Sequence, residues 1–227
     1  MILVNKATLA DQAYRELRAR ILSGQIPGGS RLLPEELAVA LAISPTPIKE
    51  ALVRLEADGL VDSRLRRGAF VRRFTERIVE ELCEARVMVE VTSLANAFDR
   101  GRITPGLVSD LRRNVALHEI HARGETLDDL QMALSFDREF HQQLVQAAGN
   151  ATVAEWHLRL LCQTHTVLAC RADSYLTAVH DHQALLAALA DGSKEAALAT
   201  LREHLRHSRD NTLRSVKIYE GRVAEGA

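Results

Sequence analysis

The 227 residues exceed one minimal module and suit two domains of ordinary size, and 47% hydrophobic with 26% charged residues is the balance of a chain that buries a core. No apolar run approaches the ~20 residues of a membrane span, the start lacks a signal-peptide pattern, and three cysteines (Cys83, Cys162, Cys170) without metal-like spacing argue against a disulfide framework or zinc knuckle, so a cytoplasmic protein with no membrane partner is expected. The net charge of −1 hides an asymmetry: residues 1–77 hold 13 Lys or Arg against 9 Asp or Glu and the remainder 16 against 21, so a basic head of +4 joins an acidic body of −5, as for a polyanion-binding module attached to something else.

Leu9, Ala13, Leu17 and Ile21 recur four apart and predict a helix over 8–24, closed by Gly24. Pro27, Gly28 and Gly29 make 25–31 a turn, after which a short helix is predicted over 34–42. Ser44 is an N-cap for a third helix to about residue 58, with Pro45 and Pro47 in its first turn, where no helical N–H bond is lost, and Gly59 at its end. Two strand-like runs at 60–63 and 69–71, joined by 64–68, read as a hairpin. Three short helices and a basic two-stranded β hairpin are the arrangement of a winged helix-turn-helix. From Thr75 onward only helices are predicted, at 76–99, 105–122, 127–148, 151–171, 174–191 and 194–217, which makes an all-α antiparallel bundle of about six. The expected fold is therefore mainly α, with a DNA-binding domain over 1–74, a helical domain over 75–220 and a frayed tail over 221–227.

In a helix-turn-helix the N-terminal end of the recognition helix enters the major groove, so its first turns must be polar and compact. Here Thr46 and Lys49 are the residues expected to touch DNA, with Ser44 donating to a phosphate. Arg64, Arg66 and Arg67 at the hairpin tip are placed to reach the backbone or minor groove, and Gly68 permits the tight turn. The competing reading of the arginines is a solvated hairpin surface.

The most informative C-terminal feature is polar residues inside apolar stripes. On the helix over 127–148, Leu130, Leu134, Phe140, Leu144, Val145 and Ala148 set the stripe, and Asp137 and His141 fall within it, one turn apart. His182 lies at the centre of the next such stripe and His204 at the edge of the last, whereas His180 and His207 point away. Burying one carboxylate and three imidazoles without partners costs several kcal/mol, so they either share a divalent cation such as Zn²⁺ or Ni²⁺, or form an Asp–His pair beside unrelated buried histidines.

Four motifs occur in order: Gly29-Ser30-Arg31-Leu32-Leu33-Pro34-Glu35-Glu36-Leu37-Ala38, Ser44-Pro45-Thr46-Pro47-Ile48-Lys49-Glu50-Ala51-Leu52, Leu55-Glu56-Ala57-Asp58-Gly59-Leu60-Val61 and Arg67-Gly68-Ala69-Phe70-Val71. With them the chain resembles the GntR superfamily of regulators over nearly all of residues 8–73. It departs at Glu35, Pro45 and Lys49, where many relatives carry arginine, so the resemblance carries DNA contact to Thr46, Lys49 and the hairpin but not to Glu35 or Pro45. The C-terminal half is similar to the FadR branch with its FCD ligand-binding domain, and six helices place it nearer the VanR-like subgroup. That resemblance implies a divalent metal (Zn, Ni or Mn) on Asp137, His141, His182 and His204, in the local settings Asp-His-Gln-Ala-Leu-Leu and Leu-Arg-Glu-His-Leu. It also implies a transcription regulator, a repressor or an activator, acting as a homodimer on a palindromic double-stranded operator and controlled by a small organic acid. Arg86, on one helical face with Leu82, Val89 and Ser93, is then a candidate for the effector's carboxylate, against an internal salt bridge to Glu84 or Glu90. His118, His121, His157, His165 and Trp156 are possible pocket residues that nothing in the sequence ranks. Two rival functions remain: a pure metal sensor, and a metallo-enzyme, for which no general base can be named beside the four ligands.

Overall fold

A computed structural model describes residues 8–22, 25–168 and 175–225 of the chain. It divides into two compact units, the first reaching Phe74 and including the chain from Ile218, the second Thr75–Lys217.

In the first unit α1 (Leu9–Leu22) begins where the Thr8 hydroxyl accepts the Asp11 N–H at 3.1 Å and the Asp11 carboxylate accepts the Thr8 N–H at 2.9 Å. The expected stop at Gly24 lies outside the described residues. Helices α2 (Pro34–Leu41) and α3 (Pro45–Ala57) both open on a proline, whose missing N–H costs nothing in the first turn. Ala13 and Leu17 of α1, Ile48, Ala51 and Leu55 of α3, and Leu60 and Val71 close one core beneath them. The sheet has three strands, β1 (Arg31–Leu32), β2 (Val61–Arg64) and β3 (Gly68–Val71), in the order β1-β3-β2 and antiparallel throughout. The expected two-stranded hairpin is present as β2 and β3, and β1 adds a third strand to it. A two-residue strand has no alternation to detect, and only its pairing with β3, Arg31 opposite Phe70 and Leu32 opposite Ala69, defines it. At the hairpin tip Arg64 pairs with Gly68, Arg66 is left-handed with φ 62°, and Gly68 has φ 91°, a conformation that requires glycine.

The second unit is helical: α4 (Glu76–Asp99), α5 (Pro105–Ala122), α6 (Leu127–Ala147), α7 (Ala151–Leu168), α8 (Tyr175–Ala190) and α9 (Lys194–Glu225). Thr75, Thr104 and Thr126 cap α4, α5 and α6 through their hydroxyls, and Thr126 forms a capping box with Asp129. Helix α6 lies against α4, α5 and α7, and α5 also against α8. Leu94, Leu111, Phe140, Leu144, Val179, Leu185 and Leu201 fill the core between them. The expected end of α7 at residue 171 lies outside the described residues, as does Cys170. Helix α9 runs to Glu225, beyond the expected stop at 217, and the tail expected to fray from Gly221 is helical to that point. One glycine costs about 1 kcal/mol against alanine, too little to end a helix among Arg222, Val223, Ala224 and Glu225. No helix among the described residues is long and apolar enough to cross a membrane.

Candidate functional site

Three imidazoles from three helices converge in the second unit. His141 of α6, His182 of α8 and His204 of α9 are buried, and His141 Nε2 lies 3.3 Å from His182 Nε2 and 3.0 Å from His204 Nε2. Asp137, one turn before His141 on α6, puts Oδ1 3.6 Å from His182 Nε2. The four residues that interrupt the apolar stripes are therefore brought together. His182 is also stacked on Phe140 at 3.9 Å, which fixes its ring plane.

The outer nitrogens decide what the inner ones offer. His141 Nδ1 lies 2.7 Å from Glu90 Oε2, and His204 Nδ1 lies 3.2 Å from Asp181 Oδ2. An ionised carboxylate only accepts, so each Nδ1 carries a proton, and a ring that is neutral presents a lone pair at Nε2. Two lone pairs 3.0 Å apart repel unless a proton or a cation lies between them. A proton on His141 or His182 is disfavoured near neutrality: burial pushes His141 down to about 4 against the pull of Glu90, and burial with the neighbouring His204 pushes His182 well below the usual histidine range. A metal fits. Bonds of about 2.1 Å place cis donors about 3.0 Å apart on an octahedral ion and about 3.4 Å apart on a tetrahedral one. The observed 3.0 and 3.3 Å span that range. Imidazole backed by carboxylate is the arrangement that orients metal-bound histidines in general.

Glu90 was named by the sequence only as a salt-bridge partner, yet it is central. Its buried carboxylate accepts from Arg86 Nε at 2.6 Å, faces His141 and lies 3.0 Å from His157 Nε2. Burial alone would raise the Glu90 carboxyl, but Arg86, His141 and His157 hold it well below the usual carboxylate range. Of the two readings of Arg86, the ion pair with Glu90 is the contact present. Its Nη1 also reaches Ser208 Oγ at 3.3 Å, and its Nη2, fully buried, has no hydrogen-bond partner among the described residues.

Several side chains depart from their expected places. His207 was expected to face away from the cluster, but its Nδ1 lies 2.9 Å from Asp181, the same carboxylate that supports His204. His121 pairs with Asp129 at the start of α6, outside the cluster, and Trp156 is 64% exposed and lines no interior. His118 of α5, fully buried, forms with Asp137 and His182 a second trio of donors within 4.8 Å of one another. The side chain of His165 lies outside the described residues.

In the first unit Ser44, Thr46 and Lys49 are all exposed along the N-terminal end of α3, while Ile48 between them is fully buried and sets the orientation of the helix. Ser44 occupies the N-cap position, but its hydroxyl makes no capping bond, so it is not committed to the helix. Arg64, Arg66 and Arg67 are exposed around the β2–β3 turn, with the Arg64 guanidinium 4.7 Å above the Phe70 ring. Arg31, exposed on β1 beside Gly68, adds a cation that was invisible until β1 was known.

Comparison with known proteins agrees with both halves. The family description "Bacterial regulatory proteins, gntR family" matches residues 9–71, and "FCD domain" matches residues 81–207. A relative from Streptomyces ambofaciens, an HTH-type transcriptional regulator in an unstable DNA locus, is 29% identical over 91% of this chain and 86% of its own length. A probable D-xylose utilization operon transcriptional repressor of Paenarthrobacter nicotinovorans is 27% identical over 89% of this chain and 88% of its own. Among solved structures, a GntR transcriptional regulator from Rhodococcus sp. RHA1 superposes with a TM-score of 0.66 at 26% identity, covering 90% of this chain and 97% of that one. Both domain families and these relatives are those of transcription regulators and not of enzymes. The chain belongs to the GntR family of bacterial regulatory proteins, a transcription regulator whose C-terminal half is an FCD domain.

Proposed function

We propose that this regulator is a homodimeric repressor of the VanR-like subgroup, binding a palindromic operator through α3 and the β2–β3 hairpin and releasing it when a small carboxylic acid reaches a divalent metal in the helical unit. The observation that carries the metal reading is the convergence of three inner nitrogens, with His141 Nε2 3.3 Å from His182 Nε2 and 3.0 Å from His204 Nε2, and His141 and His204 each backed by a carboxylate. Asp137, His141, His182 and His204 would hold the ion, and the ion would supply Lewis-acid positions to an effector oxygen. The unpartnered Arg86 Nη2 is the donor left for the effector's carboxylate, its Nε being engaged by Glu90. The repressor direction draws on the repressor named among the relatives.

Metal analysis followed by a thermal-shift screen of organic acids tests this reading. Freshly purified protein should carry about one equivalent of Zn, Ni or Mn per chain, lose melting temperature on chelation, and gain it with an acid only when metal is present. Arg86→Lys keeps a charge beside Glu90 but removes the fork, and should abolish the acid response. Less than about a tenth of an equivalent, with no stabilisation by added metal, sinks the proposal. DNA release by metal alone would instead make the ion the signal.

A further inference from the structure

We propose, resting on the metal reading above, that His118 is a fifth protein ligand of the same ion. The ion is then held from α5 as well as α6, α8 and α9, with a single position left for an effector oxygen. His118 is fully buried, and one of its ring nitrogens lies within 4.8 Å of both an Asp137 oxygen and a His182 nitrogen. His182 belongs equally to the trio with His141 and His204, so it is common to two trios, and one ion shared by all five residues draws His118 and Asp137 in toward His141 and His204.

Bond lengths set the test of reach. Two donors on one ion at about 2.1 Å each stand at most about 4.2 Å apart, when they are trans. The donors of the second trio lie within 4.8 Å of one another, so any pair standing beyond that span comes onto one ion by rotation of a ring. The other trio needs no such shift, because its inner nitrogens already stand 3.0 and 3.3 Å apart. Four imidazoles and one carboxylate form a nitrogen-rich set that favours Zn, Ni or Co over Mg or Ca. On a six-coordinate ion five protein donors leave one site, so an acid binds through one oxygen rather than as a chelate. The competing role for His118 is a hydrogen bond to the outer oxygen of Asp137, which orients a ligand without being one.

Counting histidine ligands separates these roles. Full-length protein with ¹⁵N-labelled histidine rings is loaded with ¹¹³Cd, and the imidazole nitrogens coupled to cadmium are counted among the 9 histidines. Four coupled nitrogens are expected, falling to three in His118→Ala and staying at four in His180→Ala, whose side chain is exposed. Three coupled nitrogens in the parent protein, unchanged in His118→Ala, remove His118 from the ion while leaving the metal reading intact. No cadmium uptake at all overturns both.

Discussion

At Glu90 one buried carboxylate serves Arg86, His141 and His157, so its loss acts on stability before it acts on any ligand. Removing one partner of a buried ion pair leaves an uncompensated charge and costs roughly 3–5 kcal/mol, whereas replacing both with apolar groups is often near neutral. Glu90→Ala is therefore expected to lower the urea-unfolding free energy of the metal-free protein by roughly that amount, and Arg86→Met with Glu90→Leu to recover part of it. A cost below about 1 kcal/mol for the single change would show that Arg86 finds another partner. The same neighbourhood shows what a sequence can reveal. Asp137, His141, His182 and His204 were legible because a polar residue on an apolar stripe breaks a 100° periodicity. Arg86 and Glu90 share the buried face of α4 with Val79, Cys83, Leu94 and Ala97, so the same test reaches both. His118, named only as an unranked pocket candidate, shares the buried stripe of α5 with Leu111, Asn114 and Val115, so that test reaches it as well. Asp181 was not legible as a site residue: it is only half-buried, and what joins it to the cluster is its bond to His204 of another helix, which no single-helix pattern encodes.

Among the elements, the long helices declared themselves through caps and glycines, and five of the six in the helical unit begin at the residue where the sequence put them, as α7 at Ala151 and α9 at Lys194 illustrate. The short element β1 did not, because two residues carry no period and its strand character comes from pairing with β3. The proposed DNA contacts lie on elements of both kinds. Helix α3 presents Ser44, Thr46 and Lys49 on one exposed edge, while the β2–β3 turn presents Arg64, Arg66 and Arg67. Each Lys or Arg that neutralises a phosphate releases counterions, so its removal lowers affinity and reduces the slope of log K against log salt by about 1. Lys49→Ala and Arg66→Ala should each show this reduction in fluorescence anisotropy titrations with operator DNA. At Arg66 the left-handed backbone at φ 62° disfavours alanine slightly, so Arg66→Gly is the better-tolerated companion variant. Unchanged salt slopes in all three variants would move the DNA-binding surface elsewhere on the unit.

For the molecule as a whole, the two units have separate cores, and their dependence on metal should differ accordingly. Leu17, Ile48, Leu55 and Leu60 are buried within the first unit, which contains none of the clustered histidines. In the second unit the donors come from α6, α8 and α9, so one ion would tie three helices whose inner nitrogens otherwise oppose each other. Chelation is thus expected to lower the calorimetric transition of the helical unit and leave that of the winged helix in place. His182→Ala should do the same, because it removes the donor shared by both trios, and His180→Ala should be silent because it is exposed. His207→Ala is not a second control: its bond to Asp181 connects it to His204, so a partial loss of metal affinity is expected there, on the order of tenfold. Operator affinity measured without effector should change by less than about threefold in His182→Ala, under 1 kcal/mol, since its side chain lies outside the DNA-binding core. The response to effector should disappear, because the ligand loses its metal and the coupling it drives. If His182→Ala abolished operator binding even without effector, the ion would be needed for the DNA-binding state itself, and the view of the metal as a station for the effector would fail.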